Sequence, residues 1–168
     1  MQNTLKFGTS GLRDTVTNMT DRECYINTAG FISFLKERGE ISGEKSAIAI
    51  AGDLRSSTPR IMAAVAAAAR DSGCAVVSCG NLPSPALAYF AMSRDLPSVM
   101  VTGSHIPDDR NGIKFTKVSG EVLKTDEQDI LRNVSAVRQR AEKDPRVKAL
   151  FGATGMFISS PEPAGREA

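Results

Sequence analysis

The sequence contains no tryptophan, a single histidine and only 5% aromatic residues. So few aromatics leave little on which nucleic-acid bases could stack. An excess of either charge is missing too: 21 Lys and Arg against 19 Asp and Glu give a net charge of +2. The cations are scattered rather than massed, so the chain carries no electrostatic footprint for nucleic acid. No apolar run approaches the roughly 20 residues of a membrane span. The opening Met-Gln-Asn-Thr-Leu-Lys lacks the apolar stretch of a signal peptide. Cys24, Cys74 and Cys79 are odd in number and form no C-x-x-C pair. Cys74 and Cys79 bound a strand-like run and would lie about 17 Å apart if extended, too far for a disulfide. Reduced thiols in a cytoplasmic protein are expected. No G-x-x-x-x-G-K-[ST] or G-x-S-x-G motif occurs, which argues against a P-loop nucleotide enzyme and a serine-hydrolase elbow. No His/Cys/carboxylate cluster supports a self-contained metal site.

What is present is an alternation of strand and helix signals. At 168 residues, 41% hydrophobic and 24% charged, the chain has the size and composition of one soluble domain. Thr20 and Glu23 form a capping box opening a helix with Phe31, Ile32, Phe34 and Leu35 on one side, closed by Gly39. Ser46 to Ala51 is a short apolar run, and Thr58 with Pro59 starts a second helix, closed by Gly73. Cys74 to Cys79 is another strand, Pro85 to Arg94 a third helix, and Ser98 to Thr102 a third strand. Three buried strands separated by helices imply a parallel sheet covered on both faces. Gly112 to Val118 and Glu121 to Leu123, joined by Ser119-Gly120, read as a hairpin. The expected class is therefore α/β, a three-layer sandwich with a mixed, mainly parallel sheet. Thr125-Asp-Glu-Gln128 reads as a second capping box, and its helix must stop before Pro145. Residues 1–145 are expected to form the domain, and residues 146–168 a linker or disordered tail.

In open α/β sheets, ligands bind outside the carboxyl ends of the strands. Three loops converge there: Gly52 to Ser57, Gly80 to Pro85, and Thr102 to Arg110. They bring Arg55, Ser56, Ser57, Ser84, Ser104 and His105, a set suited to anionic oxygens, and helix N-termini add partial positive charge. Ser104 follows a buried strand and lies between Gly103 and Pro107, a place that displays a hydroxyl rather than packing it. If Ile113 and Phe115 seek the core, Lys114 faces away from it and reaches the cleft. Plainer roles stand beside these. Ser56 and Ser57 serve equally as helix caps, Arg55 with Asp53 as a surface ion pair, and Asp108 and Asp109 as turn residues. From spacing alone, the chemistry stops at a phosphate-handling cleft around Ser104.

Thr102-Gly-Ser-His-Ile-Pro107, with Asp109-Arg-Asn-Gly-Ile-Lys114 after it, resembles the active-site loop of the α-D-phosphohexomutases, the phosphoglucomutase and phosphomannomutase enzymes. Phe7-Gly-Thr-Ser-Gly-Leu-Arg13, Asp53-Leu-Arg-Ser-Ser57 and Gly80-Asn-Leu-Pro-Ser-Pro85 resemble three further blocks of that family in the same order. The resemblance implies the family's first domain, with Ser104 as the serine that cycles through phosphoserine. Its phosphoryl group would pass to a hexose monophosphate and return from the other position through a bisphosphate. Arg13, His105 and Lys114 take catalytic positions, Lys114 as a proton shuttle. Thr9, Ser10, Arg55, Thr102, Gly103 and Asn111 are the weaker candidates for binding substrate or phosphate. A Ser104 oxygen would be one ligand of a Mg²⁺ ion held mostly by later domains. The implied partners are a glucose or mannose phosphate and those C-terminal domains, without which the fragment is expected to be inactive. The alternative is a free-standing, non-catalytic binding or assembly module built on the same domain. Ile106, Asp14 and the Ala51-Gly52 pair depart from the family pattern and mark a divergent branch.

Overall fold

The computed structural model describes residues 5–8, 11–43 and 46–161. Along the chain the elements are β1 (Gly11–Thr15), α1 (Asp21–Glu37), β2 (Ala47–Gly52), α2 (Thr58–Asp71), β3 (Ala75–Asn81), α3 (Ser84–Met92), β4 (Ser98–Val101), β5 (Arg110–Lys117), β6 (Gly120–Glu121), α4 (Glu127–Ala141) and α5 (Pro145–Leu150). Among the described residues the strands form one mixed sheet ordered β1-β5-β4-β2-β3, with β6 beside β5. β2 runs parallel to both β3 and β4, whereas β5 is antiparallel to β4, β1 and β6. The antiparallel share is larger than the sequence suggests, because Gly11–Thr15 adds an edge strand that has no apolar run to announce it.

Chain direction explains the layering. From β2 to β3 the chain steps outward, and from β3 to β4 it steps back across β2. Right-handed crossovers in opposite directions place their helices on opposite faces. Side-chain alternation along each strand then serves two cores. Ile48, Ile50, Val99, Val101, Ile113 and Phe115 face the layer of α1, α2 and α4. Ala49, Ala51 and Met100 face the other way, against Leu87 and Ala91 of α3. α1 and α4 meet at Gly30, where an added Cβ would lie 2.4 Å from Val134 Cγ2 and 2.7 Å from Val134 Cα. Cys24 is fully buried in this layer, and burial pushes its thiol up to about 12, which makes it a packing group rather than a nucleophile.

Three local expectations are corrected by tertiary partners. Thr20 Oγ1 does accept from Glu23 N–H (3.3 Å), but the Glu23 carboxylate turns to the Arg138 guanidinium, 2.6 and 2.7 Å away, instead of closing the box. Thr58 does not cap α2; Ser57 holds the cap position without a side-chain cap bond, and Thr58 Oγ1 donates to Asp53 Oδ1 at 2.5 Å. The second box is also shifted: Asp126, not Thr125, accepts from Leu123 N–H (2.9 Å), and Lys124–Asp126 forms a 3-10 turn ahead of α4.

The stretch expected to be a tail folds back instead. Asp144 Oδ1 accepts from Arg146 N–H and caps α5, which starts on Pro145. Phe151 bridges to Phe157, and both rings pack on the main core. Gly155 accepts from Arg22 N–H, and Asp21 Oδ2 from Phe157 N–H, so this segment closes over the start of α1. A Gly- and Pro-rich sequence hid it because its order comes from α1, not from local propensity. The end of the expected tail, residues 162–168, lies outside the described residues.

Candidate active site

The C-terminal ends of β2, β3 and β4 all open on one edge of the sheet. Because β5 is antiparallel to β4, its beginning reaches the same edge, and β1, reversed again, brings Arg13 to Thr15 there. Register decides which side chains share a face. Lys114 pairs with Met100 and Gly11, and Arg13 pairs with Gly112, so Lys114 and Arg13 lie on the sheet face opposite Ile113 and Leu12. α3 covers that face farther along, under Met100. Toward β1 it opens as a cleft of about 550 Å³ lined by Lys6, Arg13, Ser84, Thr102, Ser104 and Lys114, among others. Gly112 lets the strands close around this point: a Cβ there would lie 2.8 Å from Leu12 O and 2.9 Å from Thr102 O.

Ser104 sits in the left-handed region at φ 54°, which a residue with a Cβ rarely adopts. Holding it there costs about 1–3 kcal/mol, so the surrounding contacts must over-determine it. Its N–H donates to Thr102 Oγ1 (2.9 Å), and its Oγ lies 3.2 Å from His105 Nδ1, the imidazole tautomer setting which atom donates. Both side chains are exposed. The structure therefore brings Ser104, Arg13, Lys114 and Thr102 together at one cleft, with His105 beside Ser104 but outside its lining.

Other expected residues are placed differently. Gly103 is buried beneath the loop rather than at its surface. Asn111 is fully buried, and its Nδ2 donates to Ser57 Oγ (2.9 Å) and Thr58 Oγ1 (3.0 Å), so it joins the base of the loop to α2 and does not reach the cleft. Arg55 does not line the cleft with Ser104; its head group lies under the Ser104 loop. Nη1 donates to Pro107 O (2.8 Å), Asp108 Oδ1 (3.1 Å) and Arg110 O (3.2 Å), and Nη2 to Ile106 O (2.6 Å) and Ser104 O (3.3 Å). Thr9 and Ser10 lie outside the described residues.

Two carboxylates shape the site without having been singled out for it. Asp53 accepts from Arg55 N–H, Thr58 Oγ1 and Gly103 N–H, and its Oδ2 lies 3.3 Å from Arg55 Nε. Partial burial works to raise its carboxyl, but these donors together hold it below the usual aspartate value. Glu121 of β6 accepts from Lys114 Nζ at 2.8 Å, and that ammonium keeps the Glu121 carboxyl low. Lys6 also went unread; its only signal was its place just before the Phe7-Gly8 block. Among the described residues no group of three or more His, Cys, Asp or Glu is placed to hold a metal ion. One hydroxyl oxygen does not fit the near-octahedral oxygen shell Mg²⁺ demands.

The comparison with known families bears directly on this cleft. Residues 4–141 match the family described as phosphoglucomutase/phosphomannomutase, alpha/beta/alpha domain I. The chain belongs to that family. A phosphomannomutase of Salmonella muenchen is 41% identical over 127 residues, 76% of this chain and 26% of the relative. A phosphoglucosamine mutase of Thermotoga neapolitana is 30% identical over 154 residues, 92% of this chain and 34% of the relative. A solved phosphoglucomutase/phosphomannomutase family protein from Burkholderia thailandensis superposes at a TM-score of 0.66, with 24% identity, over 79% of this chain and 30% of that one, which shows the fold. The chain thus spans about a quarter to a third of the length of these relatives. The cleft around Ser104 lies wholly within the matched phosphohexomutase domain.

Proposed function

We propose that this chain is the serine-bearing domain of a phosphohexomutase that interconverts hexose 1- and 6-phosphates. The observation that carries the reading is the strained, exposed Ser104 facing a cleft lined by Lys6, Arg13 and Lys114. Phosphoryl transfer needs positioning and neutralisation of spread negative charge more than covalent help, and three cations lining the cleft that Ser104 faces suit the second need. In this reading a sugar hydroxyl oxygen attacks the phosphorus of phosphorylated Ser104. The new P–O bond forms as the bond to Ser104 Oγ breaks, and Lys114 acts as a relay, its ammonium giving a proton to the departing Ser104 Oγ and taking one back from the sugar hydroxyl. The bisphosphate turns over, and Ser104 Oγ attacks the phosphorus of its other phosphate as that group's bond to the sugar oxygen breaks; the serine proton passes to the released sugar hydroxyl, leaving the regioisomeric monophosphate and phosphorylated Ser104. His105, 3.2 Å away, steadies the hydroxyl between the two half-reactions.

Mg²⁺ remains part of the proposal: bound, it would supply divalent positive charge for phosphoryl transfer. Among the described residues only the Ser104 oxygen would serve as a ligand, so its other oxygen ligands would have to come from elsewhere. The free state of all three cysteines supports a reducing, cytoplasmic setting, and among the described residues no helix is long and apolar enough to cross a membrane. The test is intact-mass spectrometry after exposure to glucose or mannose 1,6-bisphosphate. We expect one added phosphate, absent in Ser104→Ala; phosphate uptake that persists in Ser104→Ala would overturn the assignment.

A further inference from the structure

The Ser104 loop makes few bonds to itself. Its backbone closes two short turns, Ile106 N–H to Gly103 O and Arg110 N–H to Pro107 O, both 3.1 Å. The carbonyls of Ser104, Ile106, Pro107 and Arg110 instead converge on one side chain from a different loop, Arg55. That side chain is 13% exposed, and its charge is balanced from below by Asp53, whose Oδ2 also holds Gly103 N–H. Gly103 fits flush on the guanidinium: an added Cβ would lie 2.3 Å from Arg55 Nε and 2.4 Å from Cζ. The ion pair with fully exposed Asp108 adds little to this arrangement.

We propose that Arg55 is the positioning residue of the transfer serine: residues 104–110 are wound around its guanidinium, which fixes Ser104 in the left-handed conformation that turns its hydroxyl to the cleft. The proposal rests on the reading of Ser104 as the phosphoryl carrier. Arg55 touches neither the hydroxyl nor the cleft, so it acts on the rate of transfer rather than on sugar affinity. Its function is geometric. A planar fork of donors can serve four carbonyls at once, whereas a lysine ammonium at the same place is a point charge with a different reach.

The experiment uses the whole chain with Arg55→Ala, Arg55→Lys, Gly103→Ala and the Arg55→Ala/Gly103→Ala double variant. Hydrogen exchange is read at the amides of residues 103–110, and phosphate uptake by Ser104 from hexose 1,6-bisphosphate by intact mass. Loop amides should exchange about tenfold or more faster in Arg55→Ala and Arg55→Lys, with protection in β2 and β4 unchanged. Gly103→Ala should loosen the loop from the other side of the same contact and add little in the Arg55→Ala background. It also stands in if Arg55→Ala does not fold. The limiting rate of phosphate uptake should fall about 100-fold at unchanged half-saturating bisphosphate. Guanidinium at millimolar concentration should partly restore Arg55→Ala but not Arg55→Lys. Wild-type exchange and uptake in Arg55→Ala, or additive effects in the double variant, would sink the proposal while leaving the carrier reading intact. If the wild-type chain takes no phosphate but the loop loosens as described, the carrier reading fails and Arg55 stands as the loop's anchor.

Discussion

Ser104 shows how a single residue can trade stability for reactivity. Its φ of 54° places a Cβ where glycine is most comfortable, yet the proposed phosphoryl carrier needs a hydroxyl there. Ser104→Gly should therefore abolish phosphate uptake and at the same time stabilise the fold by about 1 kcal/mol. Urea denaturation of the two proteins, run beside intact-mass analysis, checks both halves; a destabilised glycine variant would count against strain. The sequence announced the serine through its place between Gly103 and Pro107, but not its backbone conformation. It also offered Arg55 as an anion binder and Asn111 as a weaker candidate for substrate or phosphate, because an arginine and an asparagine near a cleft look alike whether they face it or underlie it. Burial separates the two cases, and burial belongs to the folded chain.

Between elements, α1 and α4 approach closely where they cross. Gly30→Ala would drive a methyl into Val134, against both its side chain and its backbone, so the helices must part. We expect a loss of about 1–3 kcal/mol, read as a lower urea midpoint with little change in slope. At the other end of α4, Asp126 and Lys117 pair at 2.8 Å with both side chains about nine-tenths buried. Desolvation pushes the Asp126 carboxyl up, but the bonds from Lys117 and Leu123 N–H outweigh it and leave the folded value below the ordinary 3.8. Such a carboxylate contributes stability above the unfolded value, and that contribution is lost as pH falls through the folded value. Asp126→Asn should therefore cost roughly 3 kcal/mol at pH 7 and progressively less as pH falls below 3.8 toward and through the folded value. A pH-independent difference in denaturation midpoints would count against this assignment. The helices α1 to α4 were readable from the sequence, whereas α5, in the expected tail, was not. Thr20 caps α1 as the sequence suggests, but the remaining cap bonds were not readable, because Glu23 turns to Arg138, Thr58 to Asp53 and Asp126 back to Leu123 N–H.

On the scale of the molecule, the chain builds one wall of a cleft, with three cations and a displayed serine but no carboxylate cluster for a metal among the described residues. On the function proposed above, a chain that spans about a quarter to a third of its relatives' length would supply only part of what orients a sugar. Alone, it should convert mannose or glucose 1-phosphate at least about 100-fold more slowly than a full-length relative. A coupled assay with trace bisphosphate measures this, and comparable turnover would show the cleft to be self-sufficient. What the sequence determined by itself was the order of strands and helices, their two-faced sheet and the serine loop, because apolar periodicity and turn residues are local properties. Only the tertiary structure decided that Gly11–Thr15 is a strand, that residues 145–161 pack on α1, and that Arg55 lies beneath Ser104. Each of those outcomes depends on partners far apart in the chain, which no local pattern encodes.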